Sequence, residues 1–266
     1  MSRVAQATRL ELRELMRRPL LLVLLVALPF FFITRSIAST VPQPRTVPLP
    51  GGGEVLSNMQ DVHGATMAAI TIAFLAGLCG LFIMQSAREA DRRLVVAGFR
   101  PLEVVLPRLI LIGAATAIIV AVSLLVTALS FTPKQWPPFI AGNVIIGLTY
   151  GSIGAIAGVV LGRLGGTYFM FFLPMIDLGI AQTPMFGDGA PDGWATLLPG
   201  YGGGQVLVDA SFASSFHTGG ELMVGVAWAL VALASVVFVL TRSIGRPAGR
   251  DGVLDGALRS RTRGVT

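Results

Sequence analysis

Lysine is nearly missing from this chain: Lys134 is the only one among 20 basic residues. A G-x-x-x-x-G-K-[ST] loop needs its lysine on the nucleotide phosphates. Lys134 falls in a segment predicted to lie outside the cell, so this chain carries no nucleotide site of that kind. Cysteine is almost as scarce. Cys79, the single one, sits in an apolar run, so no intrachain disulfide staples the loops, and the thiol is read as a small packing residue. The two histidines, His63 and His217, are both predicted in external loops, and H-E-x-x-H does not occur. This placement argues against a bis-His haem between spans, and no metal site is assigned. Gly151-Ser152-Ile153-Gly154 imitates a serine-nucleophile motif, but no apolar run contains a histidine to serve as base, so Ser152 is read as a packing or hydrogen-bonding residue.

Charge is also short. Charged residues make up 13% of the chain, against about 25% in a soluble domain, while 53% are hydrophobic. That leaves too little polar surface to cover a globule in water. The apolar residues are gathered into blocks, and a bilayer core needs about 20 apolar helical residues. Six blocks qualify, read as spans over residues 19–39, 64–86, 104–130, 138–162, 168–182 and 221–243. The fifth is the weakest, because Pro174 breaks it and Asp177 lies within it. If it were re-entrant, five spans would remain.

Arginine placement separates six from five. With the N-terminus inside, segments 1–18, 85–108, 163–167 and 242–266 hold 5, 5, 1 and 6 arginines, 17 of the 20 basic residues. Only Arg35, Arg45 and Lys134 fall outside. This positive-inside bias favours six spans with both termini cytoplasmic. It also accounts for the basic isoelectric point through the anionic inner leaflet, so nucleic acid is not an expected partner.

Residues 1–18 read as a helix lying on the membrane surface, with Arg9, Arg13 and Arg17 on one face. The basic start, apolar run and Ser36-Ile37-Ala38 imitate a cleaved signal, but an 18-residue leader is long for that role, and the segment is read as retained. Residues 40–63, with Pro42, Pro44, Pro48, Pro50 and Gly51–Gly53, read as a flexible external loop. The second long external segment, 183–220, is broken by Pro199-Gly200-Tyr201-Gly202-Gly203-Gly204. Its apolar density predicts short helices dipping into the outer leaflet before the last span.

Within the spans, Gly147, Gly151, Gly154, Gly158 and Gly162 crowd the fourth, the last three as GxxxGxxxG. Small residues at that spacing allow close helix approach in lipid. Packing inside one subunit is the plain reading, and a subunit interface the sharper one. For Asp177, the only acid deep in a span, three readings stand. It lies near the outer surface, it pairs with a polar group that shapes the span, or it meets substrate or relays protons. Phe30–Phe32, Phe74, Phe82, Phe169, Phe171, Phe172 and Met175 supply large apolar surfaces that face lipid, pack, or line a path for hydrophobic cargo.

The segment Gln85–Arg108 stands apart. It holds Arg88, Arg92, Arg93, Arg100 and Arg108 with Glu89, Asp91 and Glu103, between two apolar runs. Residues 87–101 predict a helix that stops at Gly98-Phe99-Arg100-Pro101, since proline disfavours helix at the residue before it. A charged cytoplasmic helix between two spans is a handle through which another protein can move the membrane part.

With six spans, a leading surface helix and a long external loop after span one, the whole chain resembles the membrane subunit of ATP-driven exporters, the ABC-type-2 permease family. Ala87-Arg88-Glu89-Ala90-Asp91-Arg92-Arg93-Leu94-Val95-Val96-Ala97-Gly98 is similar to the family's "R-E … L … a-G/P" signature. Leu197-Leu198-Pro199-Gly200-Tyr201, followed by Val206-Leu207-Val208-Asp209, resembles its segment before the last span. The resemblance implies an all-α membrane protein in which the loop after span two is a coupling helix on a separate ATP-binding subunit. Arg88, Glu89, Asp91, Arg92, Arg93, Leu94 and Gly98 would make that contact. Two ATPase subunits, carrying ATP and Mg, would serve two permease subunits, identical or homologous. The path between the permeases would be lined by spans one, two and five, with Phe31, Phe74, Phe171, Met175 and Asp177 as candidates. The expected product is a non-catalytic exporter of a drug, antibiotic or lipid in a bacterial inner or plasma membrane. A secondary transporter would call for ion-coupling acids or inverted repeats, and an enzyme for clustered catalytic residues. A scaffold would lack substrate-stimulated ATPase activity.

Overall fold

A computed structural model describes residues 19–96, 98, 101–184, 191 and 193–244. The predicted surface helix at 1–18 and the tail beyond 244 lie outside the described residues.

Seven α-helices carry the described chain: α1 Pro19–Ser39, α2 Met59–Val96, α3 Pro101–Ala128, α4 Trp136–Val160, α5 Gly162–Ile176, α6 Tyr201–Phe212 and α7 Gly219–Ile244. Uncharged runs with no water-facing stripe dictate this, because backbone groups in lipid must be satisfied within the segment. Five of the described helices are long and apolar enough to cross a membrane: α2 over Met59–Ser86, α3 over Glu103–Ala128, α4, α5 with its extension to Ala181, and α7 over Gly219–Arg242. A sixth apolar stretch, Leu25–Ser39 of α1, is shorter. This architecture fits a multi-pass membrane protein.

α2 and α4 form the centre and share the most extensive interface. α1 packs on α2 and α3, α5 packs on α2 and α4, and α6 and α7 cover the remaining side of α4. Tyr150, Phe139, Ile72, Leu81 and Met170 are among the largest fully buried side chains of the core.

Glycine makes the central interface possible. A Cβ placed on Gly154 would come within 1.9 Å of the Gly77 carbonyl oxygen, and one on Gly80 within 2.0 Å of the Gly151 oxygen. On Gly158 it would meet the Leu81 oxygen at 2.8 Å. Gly147 and Gly151 lie between α2 and α3, also against Thr116 and Ile112 of α3. The glycines of the fourth span are thus used for packing inside one chain. Gly162, the last of the spaced series, takes φ +72° and turns α4 directly into α5.

Three elements differ from the sequence reading. Residues 40–63 are not an irregular loop but carry a two-stranded hairpin on an otherwise helical chain. Pro44–Pro48 (β1) pairs antiparallel with Glu54–Asn58 (β2), with Val47 opposite Val55. Gly52 and Gly53 take positive φ and close the turn, where Gly52 N–H donates to Leu49 O at 2.9 Å. Those glycines, read as breakers, are hairpin formers here, and Val47 is buried. The predicted coupling helix is likewise not a separate element. Its residues to Val96 are the last turns of α2, which runs for 38 residues without a break. The fifth span begins at Gly162 rather than Tyr168, so the expected connector 163–167 is helical.

Candidate functional site

Two regions answer to the candidate residues. The first is the charged end of α2. Arg88, Glu89, Asp91, Arg92, Arg93 and Leu94 occupy its helical backbone, and their side chains lie outside the described residues. Gly98 is exposed with φ +89°, a left-handed conformation that costs other residues energy. α3 starts at Pro101, where a proline fits the first helical turn. Two membrane-length helices therefore lie on either side of Gly98, with the charged run on the first.

The second region surrounds Asp177. Pro174 offers no N–H to the ladder of α5, and beyond it the helix widens into a π turn over Asp177–Ala181. Gln182 N–H closes that turn on Asp177 O at 2.9 Å. The carboxyl points into the core, fully buried. The Tyr150 hydroxyl of α4 donates to Oδ2 at 2.5 Å, and the Gly200 N–H ahead of α6 donates to the same oxygen at 2.7 Å. Gln182 Nε2 approaches Oδ1 at 3.4 Å. This geometry is that of a polar group shaping the span, the second of the three readings. Asp177 is fully buried, whereas Phe31, Phe171 and Met175 are exposed. A Cβ on Gly200 would stand 2.8 Å from Asp177 Oδ1, so the contact depends on glycine there.

The other path candidates are spread over three helices. Phe31 on α1 is 58% exposed, and Phe171 and Met175 on α5 are 56% and 46% exposed. Phe74, on α2 between them, is half-buried and meets Phe171 edge-on at 5.9 Å between ring centres. Phe171 in turn stacks edge-on with Phe172 at 5.3 Å. α1 and α5 each pack on α2, and Phe31 on the first and Phe171 and Met175 on the second stay exposed.

Sequence reasoning missed the donors to Asp177 and a second buried acid. Asp209, in α6, accepts from His217 N–H at 2.8 Å and from the Thr218 hydroxyl at 3.1 Å, holding the start of α7. The external reading of His217 gave no hint of this. The signal for Tyr150 was available, since an acid inside an apolar run requires a donor from a neighbouring span, and Tyr150 lies within the fourth. Among the described residues, no three His, Cys, Asp or Glu side chains come together. The chain matches no family model, no curated protein and no solved structure.

Proposed function

We propose that this chain is the membrane-spanning permease subunit of an ABC-type-2 exporter, with six spans and both termini in the cytoplasm of a bacterial cell. It would move a hydrophobic or amphipathic molecule outward, on ATP hydrolysed with Mg by a separate pair of subunits. One observation carries the reading: the charged run Arg88–Leu94 is the continuous end of α2, one of the two helices at the centre of the bundle, and turns at Gly98 into a second membrane-length helix. A push on that end is applied to the core itself. The lack of a Walker lysine in this sequence supports a motor on another polypeptide.

The exposed Phe31 on α1 and the exposed Phe171 and Met175 on α5 support a path shared with a second permease, identical or homologous. Phe31, Phe74, Phe171 and Met175 would meet apolar cargo there, since large exposed apolar patches mark binding or partner surfaces. The chain catalyses no reaction in this reading, and its location is the inner or plasma membrane.

The test is reconstitution with the co-purifying chain that bears a Walker A loop. Cargo-stimulated ATP hydrolysis is expected. The double charge reversal Arg92→Glu and Arg93→Glu should abolish the stimulation while membrane insertion stays intact. Unchanged stimulation would remove Arg88–Leu94 as the contact, and the absence of any ATPase partner would remove the exporter reading.

A further inference from the structure

Gln182, just beyond the π turn, has a fixed amide orientation. Its Nε2 donates to Ala195 O at 2.7 Å and faces Asp177 Oδ1 at 3.4 Å. Both neighbours are acceptors, so the nitrogen must sit between them and the oxygen on the other side. That oxygen, Oε1, is buried and meets no protein donor. Leaving a buried acceptor unsatisfied is costly. Gln182 also lines a cavity of about 20 Å³, together with Ala65, Thr66 and Ala69 of α2 and Leu207 of α6. A water needs roughly 10–15 Å³ of such space and at least two polar partners. Thr66 supplies the second. Its hydroxyl hydrogen is spent on Val62 O at 2.9 Å, and its oxygen, 3.5 Å from the Thr183 hydroxyl, has a second lone pair to accept with.

We propose that this cavity is a binding site for one ordered water, which donates one hydrogen to Gln182 Oε1 and the other to Thr66 Oγ1. The water connects α2 to the Asp177 network, which already joins α4, α5 and the segment before α6. A push along α2 therefore reaches that network through a hydrogen bond as well as through apolar packing. The site itself stands whether or not the chain is an exporter.

Two substitutions at Ala69 give opposite outcomes for a wet and a dry cavity. Ala69→Val fills the space with methyl groups and strands Gln182 Oε1, whereas Ala69→Ser brings a hydroxyl donor. For a wet site, thermal unfolding of the full chain in detergent should place the Val variant about 3 °C or more below the Ser variant. A Val variant melting at or above both the Ser variant and wild type means a dry void and overturns the proposal. If neither variant folds, a map of the wild-type chain at water-resolving resolution decides. Density within hydrogen-bond reach of both Gln182 Oε1 and Thr66 Oγ1 supports the site, and its absence overturns it.

Discussion

The Tyr150 hydroxyl donates to Asp177 Oδ2 at 2.5 Å and so fastens the central helix α4 to the π turn of α5. Both residues are fully buried. Burying a carboxyl is tolerable only where donors replace water, and here the second comes from Gly200, on a segment that no span contains. Leaving one partner of a buried hydrogen bond unsatisfied costs about 1–3 kcal/mol. Tyr150→Phe should therefore lower the melting midpoint of the purified protein by several degrees. Asp177→Ala should lower it further, because it strands both the phenol and the Gly200 N–H. A Tyr150→Phe variant that melts with wild type would show that the contact contributes nothing.

The α2–α4 interface gives a sharper contrast. Alanine at Gly154 would force a methyl carbon to 1.9 Å from the Gly77 oxygen, a clash with backbone that only helix separation relieves. Overpacking costs about 1–3 kcal/mol and more where backbone must move, so Gly154→Ala should express poorly or elute as aggregate in size-exclusion chromatography. At Gly113 on α3, a Cβ would meet nothing within 4 Å. Gly113→Ala should fold normally and gain up to about 1 kcal/mol of helix stability. Equal behaviour of the two variants would refute the close approach.

These cases show how far the sequence could be read. Apolar run length marked the helices, because lipid leaves a chain few other ways to satisfy its backbone. The glycine spacing announced close approach, since small residues at every fourth position make one smooth face. Neither signal names a partner. That Gly154 meets Gly77, or that Asp177 meets Tyr150 and Gly200, depends on which helices become neighbours, and those contacts join residues far apart in sequence. The hairpin was missed for a different reason. Gly51–Gly53 is a breaker in a helix and a former in a turn, and only the pairing of Val47 with Val55 decides between them. Asp209 was passed over because its partners, His217 and Thr218, approach it through the turn between α6 and α7.

The only lysine has a structural task. Lys134 Nζ donates to Phe212 O at 2.7 Å, and Gln135 Nε2 donates to Ala213 O at 2.9 Å. Both accept at the C-terminus of α6, where carbonyls lack helical partners and the dipole favours a cation. Lys134→Met should cost about 0.5–1 kcal/mol, a drop of a few degrees in melting that high salt shrinks in wild type. A salt-insensitive difference between Lys134→Met and wild type would argue for lost packing of the lysine stem instead.

The continuity of α2 can be measured. A helix rises 1.5 Å per residue, so labels at Gln60 and Val96 should stand about 54 Å apart along one rod. Cys79 must first be replaced by Ala to leave only the introduced thiols; it is half-buried and makes no disulfide. Pulsed dipolar spectroscopy on the doubly labelled chain is then expected to give one narrow distance near that value, in lipid and in detergent. A separate coupling helix hinged after the apolar run would bring the labels closer and broaden the distribution. The rod matters because its far end is tied down: Met59 N–H donates to Gln43 O at 2.8 Å, and Gln60 Nε2 donates to Thr40 O at 3.0 Å. Displacing the charged end should therefore carry the β1–β2 hairpin with it. A second label on the hairpin, at Thr46, should keep its distance to Gln60 when an ATPase partner and nucleotide are added. A change in that distance would mean that the hairpin moves independently of α2.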